Sequence, residues 1–132
     1  MLLLHPIRSR VAGPIRVIVI VRGRDSSSYS SGSLARSYLD AVCDEPIKTV
    51  MLCDSARPEG AHESLEAAAE AIANGDVDLV VTTDLTRIAT WPDLVLKFLR
   101  HCSLHDVRVI TFEDKLDTAT PGSVDSLMDE LT

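Results

Sequence analysis

The sequence predicts a single α/β domain built on a mostly parallel sheet of four to five strands, with helices on both faces. The chain has 132 residues, a length that fits one domain, and 45% of them are hydrophobic while only 4% are aromatic. This composition is typical of a globular protein with an aliphatic core. Short β-branched runs alternate with segments of helical periodicity, which predicts a βαβ arrangement with right-handed crossovers.

Four aliphatic runs are the predicted strands. The first, Ile15–Val21, is almost continuous valine and isoleucine, a pattern typical of a strand buried on both faces. The other three are Thr49–Cys53, Val77–Thr82 and Val107–Thr111. Residues 1–14 contain two prolines and a glycine as breakers, so we expect an irregular N-terminal arm there and the folded domain over residues 15–132.

Helical spacing of apolar residues predicts two helices in the first half of the chain. The first spans Ser33–Cys43 and follows a serine-rich loop over Asp25–Ser33. Its expected apolar stripe is Leu34, Tyr38, Leu39 and Val42. The second spans Ala61–Asn74, and Gly75 is its expected C-terminal stop. Its expected stripe is Leu65, Ala68, Ala69 and Ile72.

Two further helices are predicted in the second half. One begins with Thr90 as its N-cap and has Trp91 and Pro92 in its first turn. Its expected stripe is Leu94, Val95, Phe98, Leu99 and Cys102. A last helix begins near Thr120-Pro121 and runs to the end of the sequence.

Cysteine usage and hydropathy indicate a cytoplasmic protein without a membrane segment. The three cysteines are odd in number and widely spaced, which argues against a disulfide framework or a zinc knuckle and for a reducing compartment. No apolar run approaches the ~20 residues that span a bilayer. The run Leu2–Leu4 is too short for the core of a signal peptide.

The net charge of −7 is unevenly distributed. Residues 1–24 hold five arginines and no acid, whereas the remaining 108 residues hold 8 Lys and Arg against 20 Asp and Glu. An acidic body repels a polyanion, which disfavours nonspecific DNA binding over a broad surface. A local basic site near the N-terminal end remains compatible with this distribution.

Several arginines follow the predicted strands. Ligands of parallel sheets bind beyond the carboxyl ends of the strands, where the strand order switches. The arginines at these positions are Arg22, Arg24, Arg57 and Arg87. Guanidiniums gathered near helix N-termini make an anion site, most simply for phosphate. The alternative is that each arginine pairs with a nearby carboxylate, for which the candidates are Asp25, Asp54, Glu59 and Asp84.

Other polar segments carry weaker signals. A serine in the Asp25–Ser33 loop is either a nucleophile activated by neighbouring cations or part of a polar loop that caps the next helix. His101 and His105 have a spacing compatible with a metal on a helix. No third ligand is indicated, His105 is expected beyond the helix end, and polar residues at a helix C-terminus explain both. No dinucleotide or Walker motif is present, so neither a cofactor nor a metal is expected.

Longer motifs resemble the catalytic domain of the resolvase/invertase serine recombinases over about residues 15–130. The matching segments are Val19–Arg22, Ser33-Leu34, residues 74–81 (NGDVDLVV), 84–90 (DLTRIAT), 106–111 (DVRVIT) and 116–122 (LDTATPG). They resemble the first strand, the "SLxxQ" helix start, the "GDVD-LVV" strand, the "LDRLxR" loop, the "GVxxxS" strand and the "DTxTPxG" loop of that family. The resemblance implies the same α/β fold.

The resemblance also implies a DNA strand-transfer activity that needs no metal. In the family a serine hydroxyl attacks the scissile phosphate and forms a covalent 5′-phosphoserine. A cluster of arginines and an aspartate stabilises the charge on the phosphoryl oxygens. On this sequence the resemblance implies phosphate-binding roles for Arg22, Arg87 and Asp54, and the neighbouring Arg24 adds a further cation.

The sequence departs from the family pattern where the chemistry lies. The position of the nucleophile, two residues after the retained Arg22, holds Arg24. In the "LDRLxR" loop Arg87 is kept, but Thr86 and Thr90 stand in place of the aspartate and the last arginine. The long helix that follows "DTxTPxG" in the family is expected here to end after about three turns. Replacement of the serine removes the attacking oxygen and places a bulky cation where the phosphate would lie.

These observations predict a serine-recombinase-like domain that is degenerate at its active site, a pseudoenzyme in strand cleavage. Its expected role is that of a binding or regulatory partner in DNA recombination or integration. It would associate with an active recombinase or with itself, and contact DNA weakly or through a partner. One alternative is an active strand-transfer enzyme that uses a displaced serine, Ser26, Ser27 or Ser28. The other is a phosphate- or nucleotide-binding module built on the arginines.

Overall fold

A computed structural model describes residues 7, 13–22, 25–43, 46–54, 63–85, 88–89, 91–113 and 116–120. Within these residues, five strands form one sheet in the order β2-β1-β3-β4-β5. The strands are β1 Ile15–Arg22, β2 Ile47–Asp54, β3 Leu79–Thr82, β4 Arg108–Thr111 and β5 Leu116–Asp117. The first four are parallel, and β5 is antiparallel to β4. The predicted α/β class and mostly parallel sheet are therefore confirmed.

In the described residues, three helices connect the parallel strands and cover both faces of the sheet. They are α1 Asp25–Val42, α2 Glu63–Ala73 and α3 Pro92–Leu104. One core cluster joins α2 and α3 to the sheet through residues such as Ile20, Leu65, Ile72, Val80, Phe98 and Leu99. A second cluster joins α1 to the opposite face through Ile15, Val17, Val19, Ala35, Leu39, Val81 and Ile110. Successive strand residues therefore alternate between two apolar layers, as expected for strands buried on both faces.

The ends of α2 and α3 show how local sequence sets the boundaries. Gly75 has a φ of +79° and stops α2 as predicted, with the Asp76 N–H donating to the Ala71 carbonyl at 3.1 Å. The predicted N-cap Thr90 is wrong, because the N-cap of α3 is Trp91. The residue before a proline favours extended backbone, and Trp91 has φ −104° and ψ 132°, so the helix starts at Pro92.

The first helix is longer than predicted, and its buried face is different. It begins at Asp25 rather than Ser33, so the serine-rich segment forms its first turns instead of a loop. Serine costs only a few tenths of a kcal/mol in a helix, and an aspartate in the first turn is favourable. Leu34 is 51% exposed, while the neighbouring Ala35 is fully buried. The predicted stripe was therefore wrong at Leu34.

Part of the predicted N-terminal arm packs against the folded domain. Ile7 is buried and packs into the cluster on the α1 face, so this part of the arm contributes to the core. The rest of the predicted arm up to residue 12 and the predicted last helix over residues 121–132 lie outside the described residues. Within the residues that the structure covers, no helix is long and apolar enough to cross a membrane.

Candidate functional site

The carboxyl edge of the sheet brings together two of the predicted phosphate-binding positions. Arg22 is the last residue of β1, Asp54 is the last residue of β2, and the two are partners in the parallel register. Neighbouring strands are about 4.8 Å apart, so the two backbones meet at one point of the edge. Arg22 and Asp54 therefore stand next to each other at the carboxyl ends of adjacent strands, and their role in phosphate binding stays a prediction.

The sheet order also changes direction at this point. β2 lies on one side of β1 and β3 on the other, which makes the carboxyl end of β1 the expected ligand position in such a sheet. α1 begins at Asp25, three residues after β1 ends. Its N-terminus carries the positive end of an 18-residue helix dipole. An anion at this edge would therefore meet the end of β1 and the start of α1 together.

The candidate replacement serines belong to the first turn of α1. Ser26, Ser27 and Ser28 directly follow Asp25, the first helical residue. The expectation that they lie in a loop is therefore wrong, and their backbone is set by the helix. They stand near the carboxyl edge because α1 starts there.

Three predicted arginines, Arg24, Arg57 and Arg87, lie outside the described residues. The neighbours of Arg87 are anchored, however. Ile88 and Ala89 are buried in the cluster beneath α2 and α3, and Leu85 packs against it. Arg87 remains a predicted phosphate ligand on a segment whose flanking residues are part of the core.

Three buried threonines at the same edge were missed by the sequence reasoning. Thr82 ends β3 and is the register partner of Thr111 at the end of β4, while Thr83 follows β3. Their exposures are 1%, 0% and 3%, and none of the three hydroxyl oxygens has a hydrogen-bond partner in the structure. A buried hydroxyl without a partner is costly. The available signal was threonine at the end of two otherwise aliphatic runs.

The opposite, amino edge of the sheet carries a buried ion pair that the sequence reasoning also missed. The Asp78 side chain is 1% exposed and its carboxylate is 3.1 Å from Arg16 Nη2. It also accepts hydrogen bonds from the Arg16 backbone N–H at 2.9 Å and from Nε at 3.3 Å. Arg16 Nη1 donates to the Gly75 carbonyl at 2.8 Å. The hydrogen bond to Asp78 raises the pKa of Arg16, so the guanidinium stays charged. Its bonds to Asp78 and Gly75 join β1 to the segment before β3.

A second ion pair holds β5 against β4. Arg108 Nε donates to Asp117 Oδ1 at 2.8 Å, and its Nη2 donates to the other carboxylate oxygen. The Thr118 hydroxyl accepts from the Val109 N–H at 2.9 Å. Asp117 and Thr118 belong to the segment that resembles "DTxTPxG". In this structure they fix that segment to the sheet, which assigns them a structural role.

The histidine pair does not lie at the carboxyl edge. His101 Nε2 is 2.8 Å from the Ala69 carbonyl and so links α3 to α2. His105 is the C-cap of α3, beyond the helix as predicted, and its ring centroid is 4.7 Å from that of His101. Among the described residues no group of three or more His, Cys, Asp or Glu could hold a metal ion.

Aromatic packing fixes α1 over the end of β4. The Tyr38 and Phe112 rings stack with centroids 4.8 Å apart and planes 12° apart. Burial raises the pKa of the Tyr38 hydroxyl, and the negative charge of Asp117 adds to the effect. Tyr38 is therefore a neutral packing residue at physiological pH.

The solved structures that share this fold include two catalytic domains and a resolvase family recombinase. The N-terminal catalytic domain of TP901-1 integrase has a TM-score of 0.71 and 15% identity, covering 86% of this chain and 90% of that chain. A resolvase family site-specific recombinase from Streptococcus pneumoniae has a TM-score of 0.70 and 17% identity, covering 88% and 85%. The C-terminal catalytic domain of ISC1926 TnpA, an IS607-like serine recombinase, has a TM-score of 0.61 and 18% identity, covering 88% and 79%.

Sequence comparison adds nothing to these structural matches. No family model matches the chain, and no curated protein is significantly similar to it. At 15–18% identity, the structural matches establish the fold predicted from the motifs. The chemistry has to be argued from the residues of this chain.

Proposed function

Because the chain has the fold of serine recombinase catalytic domains, we propose that it is a recombinase-like domain that does not cleave DNA by a serine. Its proposed role is that of a binding or regulatory partner in DNA recombination or integration. The observation that carries this proposal is the residue at the position of the nucleophile. β1 ends at Arg22, and two residues further on, where the resemblance places the attacking serine, the chain has Arg24.

An arginine at this position changes what the edge can do. A guanidinium stays protonated at every physiological pH and has no lone pair to offer a phosphorus atom. It does present several N–H donors to phosphate oxygens. Arg24 together with Arg22 therefore supports binding of an anionic group, and it removes the group that would form a covalent bond to DNA.

The charge of the chain favours a protein partner over unaided binding to DNA. The net charge is −7, and the acids lie outside the first 24 residues. DNA affinity depends on neutralising phosphates with lysine and arginine, and an acidic body opposes this over most of the surface. A basic patch on a DNA-bound recombinase would instead be attracted to it.

The second candidate is an active enzyme with a displaced serine. The start of α1 favours it, because Ser26, Ser27 and Ser28 form part of the first turn close to Arg22. A helix N-terminus stabilises a developing negative charge. Against this candidate, reacting atoms have to be held about 3 Å apart. The three serines belong to a helical turn that starts after position 24. The helix backbone therefore limits how far a serine can shift towards position 24, where the nucleophile is missing.

Covalent capture of DNA separates the two candidates. Tagged full-length protein is expressed in its native cells, the cells are lysed in denaturant, and DNA bound to the protein is measured. We expect no adduct for the wild type. An adduct that disappears in the triple variant Ser26→Ala/Ser27→Ala/Ser28→Ala would establish the displaced-serine enzyme. An adduct that persists in that variant would refute both candidates.

The partner role is tested by crosslinking before capture. Recovery of a full-length serine recombinase with the tagged chain, identified by mass spectrometry, is the expected result. The matched comparison is Arg22→Ala/Arg24→Ala, which tests whether the arginine edge takes part in the contact. Recovery of no recombinase by the wild type would refute the regulatory role and direct attention to binding of phosphate or nucleotides at the edge.

A further inference from the structure

We propose that two copies of this chain pair through the outer edges of their β2 strands, antiparallel and centred on Met51. β2 is one of the two edge strands of the described sheet, the other being β5, and it runs for eight residues without proline. All eight pair with β1 on one side, and in the part of the chain that the structure covers no strand lies on the other side. A long, regular edge of this kind is a template for pairing with another chain.

The hydrogen-bond pattern fixes which residues of β2 point outward. The Ile15 N–H donates to the Pro46 carbonyl at 2.9 Å. In a parallel ladder alternate residues of a strand bond to the same neighbour, so the even-numbered residues from Pro46 onward bond to β1. The backbone N–H and C=O groups of the odd-numbered residues, such as Thr49 and Met51, therefore point away from the sheet.

This alternation restricts the ways in which two identical edges can pair. In an antiparallel pair about a two-fold axis, outward-pointing residues have to face outward-pointing residues. Odd positions therefore face odd positions, and the full overlap that sets Ile47 opposite Asp54 is forbidden. The two registers with the next largest overlap are centred on Val50 and on Met51. The first pairs residues 47–53 of both copies, and the second pairs residues 48–54.

Charge selects between these two registers. With Met51 at the centre, Lys48 of one copy falls opposite Asp54 of the other, and the two-fold axis repeats this pair at the other end. With Val50 at the centre, Lys48 falls opposite Leu52 and gains no partner. Both are positions of the non-hydrogen-bonded type, at which opposed side chains come closest. A lysine on an edge strand normally opposes pairing, and only the Met51 register provides it with a carboxylate.

Exposed apolar surface at the same edge supports a second copy as the occupant. Val50 is 48% exposed, although it lies within a strand and is the register partner of the buried Ile18. Beside it, β2 and α2 line an open groove of about 430 Å³ that includes Ala67 and Ala71. In the Met51 register Val50 faces Leu52 of the second copy, so pairing covers this apolar position between two pairs of opposite charge. The inference depends on the sheet edge alone and not on whether the domain cleaves DNA.

The test reverses the charge at either end of the proposed pair and measures dimerisation of the full chain by sedimentation equilibrium. We expect a concentration-dependent dimer for the wild type. Lys48→Glu and Asp54→Lys each place like charges opposite one another twice, so each should weaken dimerisation about tenfold or more. In an equimolar mixture of the two variants, the new glutamate faces the new lysine, and the unchanged Lys48 and Asp54 face each other. The mixture should therefore recover a dimer with nearly the wild-type affinity.

Two further variants keep the test specific. Lys97→Glu makes the same charge change at an exposed position of α3 and should leave the dimer unchanged. Met51→Pro removes an outward N–H at the two-fold axis without removing a bond to β1, so it should give a monomer with wild-type circular dichroism.

Several outcomes would overturn the proposal. One is a wild type that stays monomeric at its highest soluble concentration. Another is a dimer that neither charge variant weakens, or an equal effect of Lys97→Glu. A mixture of variants that fails to recover the dimer would also refute the register, as would binding of the β2 edge only to a strand from a different protein.

Discussion

Replacing the unpartnered threonines at the carboxyl edge should stabilise the protein. Thr82 and Thr111 are register partners at the ends of β3 and β4, and each has a fully buried hydroxyl that makes no hydrogen bond. Valine keeps the β-branched shape and the strand preference of threonine. The variants Thr82→Val and Thr111→Val therefore exchange a desolvated hydroxyl for a methyl group in the same space.

The expected gain follows from the burial of the two hydroxyls. A buried polar group without a partner costs about 1–3 kcal/mol. The added methyl group meets a packed neighbourhood, and overpacking returns part of this gain. We therefore expect each variant to raise the free energy of unfolding by about 1 kcal/mol. The double variant should gain about 2 kcal/mol, since removing one hydroxyl leaves the other without a partner.

Urea denaturation followed by circular dichroism measures these changes, and Thr49→Val provides the control. The Thr49 hydroxyl accepts a hydrogen bond from Arg36 Nη1 at 2.9 Å, so its loss should lower the free energy of unfolding by up to about 1 kcal/mol. The expected change in the free energy of unfolding is therefore negative where the threonine hydroxyl has a hydrogen-bond partner and positive where it has none. A loss of about 1 kcal/mol or more at Thr82 or Thr111 would refute the reasoning, because it would mean that the hydroxyl has a partner.

Three further predictions concern the ion pairs and the core. Asp78→Asn leaves Arg16 without its carboxylate and should lower the free energy of unfolding by about 2–4 kcal/mol, measured by urea denaturation; a loss below about 0.5 kcal/mol would contradict it. Asp117→Asn removes the negative charge and one of the two oxygen acceptors of Arg108 and should lower the free energy of unfolding by about 1–2 kcal/mol in the same assay, where an unchanged midpoint would contradict a stabilising role of this ion pair. Burial raises the pKa of the Cys102 thiol to about 12 from 9.0, so the folded protein keeps this thiol neutral at a pH where the unfolded chain ionises it. The free energy of unfolding is therefore unaffected by this group below pH 9 and falls as the pH rises from 9 towards 12. Between pH 7 and pH 10 the wild type should therefore lose about 1.4 kcal/mol more than Cys102→Ala, and equal losses would contradict this.

The strands were predictable because a buried parallel strand leaves a strong mark on the sequence. A strand covered on both faces has to be aliphatic throughout. The aliphatic run Ile15–Val21 therefore predicted β1 to within one residue. The start of α1 was not predictable in the same way. Serine is nearly neutral in a helix, so local preference does not decide whether Asp25–Ser33 is a loop. The two-residue β5 is too short to show a periodicity of its own, and it is held by the bonds of Asp117 and Thr118 to Arg108 and Val109 of β4.

Sequence reasoning was less complete for the candidate site because the relevant features depend on register. Arg22 and Asp54 could be placed at strand ends from the sequence, but their pairing follows from the alignment of β1 with β2. The outward edge of β2 likewise depends on which residues bond to β1. Neither property can be read from composition or spacing, because a shift of one residue reverses every side chain and every backbone group.

The two edges of the sheet differ in how their polar groups are satisfied. At the amino edge, Arg16 with Asp78 and Arg108 with Asp117 form charge-assisted contacts that join neighbouring strands. At the carboxyl edge, buried hydroxyls such as that of Thr82 have no partner. Local rules of stability are most often broken where function requires it, and ligands of such sheets bind at the carboxyl edge. The stabilising threonine variants therefore also test function. If the carboxyl edge serves the proposed partner, these variants should gain stability and lose capture of the recombinase, whereas stability alone would change if the hydroxyls have no role.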